Sequence, residues 1–133
     1  MGDKTILFVC TGNTCRSYMA QAIAEHYLSA LEDKGAGVRV LSAGTAAWDG
    51  APPSPQALAV LAEQGIEASV HQSTCLTPEL IREADLILAM TGGHRDSVLR
   101  LEPQAVGKVF LLKEFPPGQG KPDRPKEQSD IID

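Results

Sequence analysis

No apolar run in the chain approaches the ~20 residues that a bilayer-spanning helix needs, and no charged-then-apolar leader stands at its start. The expectation is a cytoplasmic protein. A basic excess is also missing. Twelve Lys and Arg stand against 17 Asp and Glu, a net charge of −5, which argues against nucleic acid or an anionic membrane as partner. The cysteines number only three, an odd count with two of them close together, and do not read as a secreted disulfide framework. The three histidines lack ligand-like spacing, so neither a metal site nor a cofactor is expected. At 133 residues the chain reads as one domain over 1–133, large enough for a core and too short for two.

One stretch organises the rest. Ile6-Leu7-Phe8-Val9 is followed by Cys10-Thr11-Gly12-Asn13-Thr14-Cys15-Arg16-Ser17 and then by an apolar-periodic run from Met19-Ala20. That pattern reads as strand, tight loop and helix. The first turn of a helix leaves its amides unpaired and partly positive, so a tetrahedral oxyanion fits there. The same field favours a thiolate at Cys10. Five residues separate Cys10 from Arg16, enough for the loop to curl round a phosphate while the guanidinium fork binds two of its oxygens. Gly12 suits a close backbone approach or a positive φ, and the Ser17 hydroxyl can hydrogen-bond the thiolate.

Along the chain, Thr5–Val9 reads as a buried strand. The next helix is expected to turn one face, Met19, Ile23, Tyr27 and Leu31 with Ala20 and Ala24, to the sheet and to end by Gly35. Val38–Ser42 is the second strand. Gly44–Pro53 holds turn-formers around Trp48, which belongs on a surface loop. Ser54-Pro55 and Thr77-Pro78 are helix starts, the first helix burying Leu58, Leu61 and Ala62. Leu86–Met90 is a strand, Gly92-Gly93 a turn, His94–Leu101 a helix and Val109–Leu112 the last strand. Alternating strands and helices predict an α/β fold, a doubly wound parallel sheet with helices on both faces and sites at the strands' carboxyl ends; four strands in the order 2-1-3-4 are expected.

From Cys10 through Ser17, with Ser42-Ala43-Gly44-Thr45, His71 and Asp85-Leu86-Ile87-Leu88-Ala89-Met90, the chain resembles the low-molecular-weight protein tyrosine phosphatases and their relatives, the bacterial protein-arginine phosphatases and the thioredoxin-coupled arsenate reductases. The resemblance implies Cys10 as nucleophile and Arg16 as phosphate clamp. Thr11, Gly12, Asn13, Thr14, Cys15 and Ser17 complete the phosphate loop, with Asn13 fixing its left-handed turn. His71 is implied to lie behind the loop, hydrogen-bonded with Ser42 and Asn13, and Trp48 to form a substrate lip. Asp133 corresponds to the family's general acid, with Asp130 as the substitute. Family members continue with Pro and a last helix. The chain stops at Asp133 and is therefore expected to be truncated, without that helix. Tyr18 departs from the family's Pro and is read either as a substrate contact or as a solvated side chain.

The implied reaction is cysteine-dependent dephosphorylation of a phosphorylated protein, with inorganic phosphate as product. Thr14 and Thr91 match the arginine-phosphatase pattern, whereas Trp48 matches the aromatic lip of tyrosine phosphatases. Arsenate reduction needs a relay of further thiols that Cys75 alone does not supply. A phosphopeptide-binding module without catalysis is the non-enzymatic alternative. Cys15 reads either as a packing residue or as a redox partner of Cys10, Cys75 as a half-buried thiol, and His26 and His94 as solvated helix residues.

Overall fold

The computed structural model describes residues 4–13, 15–30, 37–66 and 72–114. Strands β1 (Lys4–Cys10), β2 (Val38–Gly44), β3 (Leu86–Ala89) and β4 (Val109–Leu111) form a parallel sheet in the order β2-β1-β3-β4. Helices α1 (Arg16–Ala30), α2 (Pro55–Glu63), α3 (Pro78–Glu83) and α4 (Gly92–Leu101) lie between them in sequence. The predicted order and class are thus those observed. β1 lies between β2 and β3, so Cys10 ends a central strand at the point where the connections diverge, the usual location of a site in such a sheet.

Alternation along β1 builds two cores. Leu7 and Val9 join Ile87, Ile81 of α3 and Val98 of α4 on one face. Phe8 and Cys10 join Leu88 and Met90 on the other, where Ala20 and Ala24 of α1 pack. Fully buried side chains such as Leu7 and Ile87 each stabilise by about 1.5–3 kcal/mol relative to exposure.

Helix α1 is two-sided, unlike the single face expected of it. Ala20 and Ala24 meet the sheet, while Met19 and Ile23 pack beside the cluster that ties α1 to α2, and Tyr27 is exposed. The small alanines allow close approach to the strands and leave the larger side chains for the second helix. Tyr18 is the largest residue of that α1–α2 cluster, 1% exposed among Ala22, Ala57, Leu61 and Ile66. It is neither solvated nor at a loop mouth. Burial first, and the Glu25 carboxylate second, raise the pKa of its phenol.

Ser54, Thr77 and Thr91 cap α2, α3 and α4, each hydroxyl accepting the amide three residues on. In α2 the buried residues are Ala57 and Leu61, with Leu58 and Ala62 exposed. Gly92 and Gly93 are the first turn of α4 rather than a separate turn, because the Thr91 cap starts the helix two residues early. β2 runs on to Gly44, whereas β3 and β4 each stop one residue short of expectation, Leu112 passing into a 3-10 turn. Leu31 and Gly35 lie outside the described residues. Among the described residues no helix is long and apolar enough to cross a membrane.

Candidate active site

Cys10 is buried where β1 gives way to the loop, and its sulfur lies 2.9 Å from Ser17 Oγ. Asn13 Nδ2 donates to that same Oγ at 2.8 Å, so the Ser17 proton is directed to sulfur. The Asn13 backbone N–H also points at Sγ, 3.3 Å away. Two donors therefore converge on the sulfur atom, a setting matched to a thiolate, which only accepts.

The loop holds this shape through Asn13. Its φ of 58° makes it the non-glycine residue in the left-handed region among those described, a conformation Asn tolerates better than most. Its side chain is fully buried and used twice, Nδ2 on Ser17 and Oδ1 accepting from the Thr74 amide at 2.8 Å. The left-handed turn implied for Asn13 is thus present. Arg16 opens α1, half-buried, and lines a largely apolar cavity of about 500 Å³ with Phe8, Met19, Met90 and Leu112.

A second segment clasps the loop from the β2 side. Thr45 N–H donates to the Cys10 carbonyl at 2.8 Å and Ala46 N–H to the Thr11 carbonyl at 3.0 Å. These bonds require the loop backbone to lie directly against Gly44. A Cβ there would stand 2.4 Å from Thr11 O and 3.0 Å from Asn13 N. The Ser-Ala-Gly-Thr stretch is used as a clasp, and its serine has a different task from the one implied. Ser42 Oγ donates to Gln21 Oε1, 2.5 Å away, tying β2 to α1, because residue 42 pairs with Phe8, two residues short of the loop.

His94 also differs from expectation. It is buried, with Nε2 2.8 Å from Thr11 Oγ1 and Nδ1 3.1 Å from Thr91 Oγ1. The early start of α4 turns its first-turn side chain toward the phosphate loop instead of water. His26 is exposed and Cys75 half-buried, as read. Cys15 is half-buried beside the Tyr18 cluster.

Trp48 is 84% exposed, on the surface loop expected for it. Ser73, buried, binds that loop: its hydroxyl donates to the Trp48 carbonyl and accepts from Ala51 N–H at 2.9 Å, while its carbonyl takes the Gly50 amide at 2.8 Å. The adjoining Cys75 N–H donates to Asp49 Oδ1 at 2.8 Å. Residues 73–75 therefore hold both the Trp48 loop and, through Thr74, the phosphate loop. Sequence reading missed Ser73, Thr74 and Gln21, which carry no local signature. Thr14, His71 and Asp133 lie outside the described residues. Among the described residues no group of three or more His, Cys, Asp or Glu side chains is placed to hold a metal ion.

Comparison with known proteins agrees with this geometry. The family described as "Low molecular weight phosphotyrosine protein phosphatase" matches residues 5–130. The chain is 48% identical over 113 residues to a protein of Geobacillus stearothermophilus named protein-arginine-phosphatase, covering 85% of this chain and 72% of that one. It is 42% identical over 130 residues to a probable low molecular weight protein-tyrosine-phosphatase, EpsP, of Ralstonia nicotianae, covering 98% and 77%. The solved YwlE arginine phosphatase of G. stearothermophilus superposes with a TM-score of 0.80 at 43% identity, over 98% of this chain and 75% of that one. A sulfur served by two donors at the head of a helix, a glycine-backed loop and these matches lead to one conclusion: the chain belongs to the low molecular weight phosphotyrosine protein phosphatase family.

Proposed function

We propose that this protein phosphatase hydrolyses phosphoarginine in proteins through a cysteinyl-phosphate intermediate. The convergence of Ser17 Oγ and Asn13 N–H on Cys10 Sγ is the observation that carries the reading, since a sulfur so placed is a nucleophile rather than a core thiol. The thiolate attacks phosphorus, an S–P bond forms and the P–N bond to the guanidino group breaks. Asp133 gives its proton to the departing nitrogen, and Asp130 is the substitute if the acid lies three residues earlier. The resulting carboxylate then takes a proton from water, whose oxygen attacks phosphorus and releases inorganic phosphate and the free thiolate. The loop from Thr11 to Ser17, with Gly12, Thr14 and Cys15 among its members, supplies amide donors, and Arg16 carries charge opposite the equatorial oxygens in flight. His71 supports the loop from behind.

Phosphoarginine is favoured over phosphotyrosine by Thr14, whose small hydroxyl suits a guanidino group better than a flat phenyl ring, and by the relatives named protein-arginine-phosphatase. Trp48, exposed beside the clasp segment, supports the tyrosine reading, because an indole offers a stacking face to a phenol. Arsenate reduction is not supported. Cys75, the one thiol outside the loop, lies in a bridge paired with Gly44.

Specificity constants for matched phosphoarginine and phosphotyrosine peptides test the substrate. The expected result is a preference for phosphoarginine of about tenfold or more, and a shift of about tenfold toward phosphotyrosine in Thr14→Ile, roughly 1.4 kcal/mol of differential transition-state binding. An unchanged preference in Thr14→Ile contradicts the assignment.

A further inference from the structure

We propose that His94 is a positioning residue that acts on the substrate through Thr11, an inference that rests on the phosphatase reading above. The two residues are 83 positions apart in sequence, and the ring and the hydroxyl meet at 2.8 Å. On its other side the ring meets Thr91 Oγ1 at 3.1 Å. Thr91 Oγ1 already accepts the His94 backbone N–H at 3.3 Å as the cap of α4, so the hydroxyl proton of Thr91 is available to Nδ1. Nε2 then keeps the ring proton and donates it to Thr11 Oγ1. The Thr11 hydroxyl is left with its own proton to give.

Its placement decides what receives that proton. Thr11 follows the nucleophile directly, and its carbonyl is pinned by the Ala46 amide at 3.0 Å. Cys10 and Asn13 are buried, whereas Thr11 is exposed. Thr11 therefore lies on the exposed side of the loop, open to the leaving-group side of a substrate, rather than on the buried floor beside sulfur. His94, 6% exposed and fixed in the first turn of a capped helix, holds the Thr11 hydroxyl in one rotamer and one orientation. Anchorage is short and rigid, for Met90 N–H at the corner before α4 donates to the Val9 carbonyl at 3.0 Å. A hydroxyl held in place before substrate arrives loses less freedom on binding than one that must be ordered.

The test separates this role from general support of the loop. His94→Leu removes both ring nitrogens, His94→Gln keeps a donor of similar reach, and Thr11→Val removes the hydroxyl. For the phosphoarginine peptide, His94→Leu and Thr11→Val should each lower kcat/KM by about tenfold, and the double variant should be no worse than either alone. His94→Gln should stay within about threefold of the parent. Competitive inhibition by inorganic phosphate, which has no leaving group, should change by less than about twofold in all of them. Phosphate inhibition that weakens in step with kcat/KM, or additive losses in the double variant, overturns the proposal. Should His94→Leu fail to fold by circular dichroism, Thr11→Val decides alone: a tenfold loss with phosphate inhibition intact upholds the role, and no loss overturns it. The same variants measured on a phosphotyrosine peptide keep the two readings apart. A parent that prefers phosphotyrosine overturns the substrate assignment, while the coupling of Thr11 to His94 is then read on that substrate.

Discussion

Cys10→Ser should lower kcat/KM by at least about 10⁴-fold while inorganic phosphate still binds within about threefold of the parent. Loss of a sole nucleophile removes the covalent route, and residual catalysis from bound donors alone is small. The substitution changes one atom. Ser17 Oγ and the Asn13 amide, 2.9 and 3.3 Å from sulfur, would then donate to a hydroxyl oxygen that is far less ionised at neutral pH than a thiol. The amide donors proposed to bind phosphate are backbone groups and are expected to stay in place. Turnover measured with a phosphopeptide and phosphate affinity measured by calorimetry check both halves. Retained turnover in Cys10→Ser would show that the loop geometry serves some other nucleophile. A parent that binds phosphate but gives no turnover at all would point to the phosphopeptide-binding alternative.

Gly44→Ala has the next largest expected effect, and it acts without touching substrate. The added methyl would stand 2.4 Å from Thr11 O, 2.8 Å from Ala47 Cβ and 3.0 Å from Asn13 N. Two of those three atoms are backbone and cannot rotate away. Moving Gly44 instead is blocked on both sides, since its amide donates to the Thr74 carbonyl and its own carbonyl accepts from Leu76 N–H, each at 2.9 Å. Overpacking of this kind costs about 1–3 kcal/mol, and the strain falls on the loop that aims Cys10. A shift of roughly 1 Å in a reacting group costs on the order of 10²-fold in rate. Thermal melts should therefore show a clear loss of stability, and kcat/KM a drop of about 10²-fold. A variant with the parent's Tm and activity would mean that Thr45 and Ala46 do not hold the loop as described.

How much of this could be read from the amino acids follows from where each signal resides. Cys10, Asn13, Arg16 and Ser17 lie within eight consecutive residues, so their mutual chemistry is a local pattern, and the observed bonds of Cys10, Asn13 and Ser17 fit it. The parallel, doubly wound class of the sheet is equally legible, because apolar runs alternate with capped helices and Ser54-Pro55 and Thr77-Pro78 mark two starts. What escaped depends on tertiary neighbours. His94 read as a solvated helix residue because nothing near it in sequence announces Thr11, 83 residues away. Tyr18 reads as a substrate contact or a solvated side chain because it directly follows Arg-Ser, whereas Ala57 and Leu61 of α2 belong to the cluster that encloses it. Ser42 was placed behind the loop from resemblance, yet its strand register sets it beside Phe8 and its hydroxyl meets Gln21. Thr74 is the clearest case, since it contributes only a backbone amide to Asn13, and a backbone amide has no sequence signature.

The most direct measurement is rapid mixing of the protein with p-nitrophenyl phosphate, whose leaving group departs without needing a proton, followed by acid quench and peptide mapping. The prediction is a burst of one equivalent of nitrophenol per chain, with phosphorus recovered on the peptide bearing Cys10 as S-phosphocysteine. Steady release with no burst and no phosphopeptide, or phosphorus on any other residue, would contradict a phosphoryl group passing through the Cys10 sulfur.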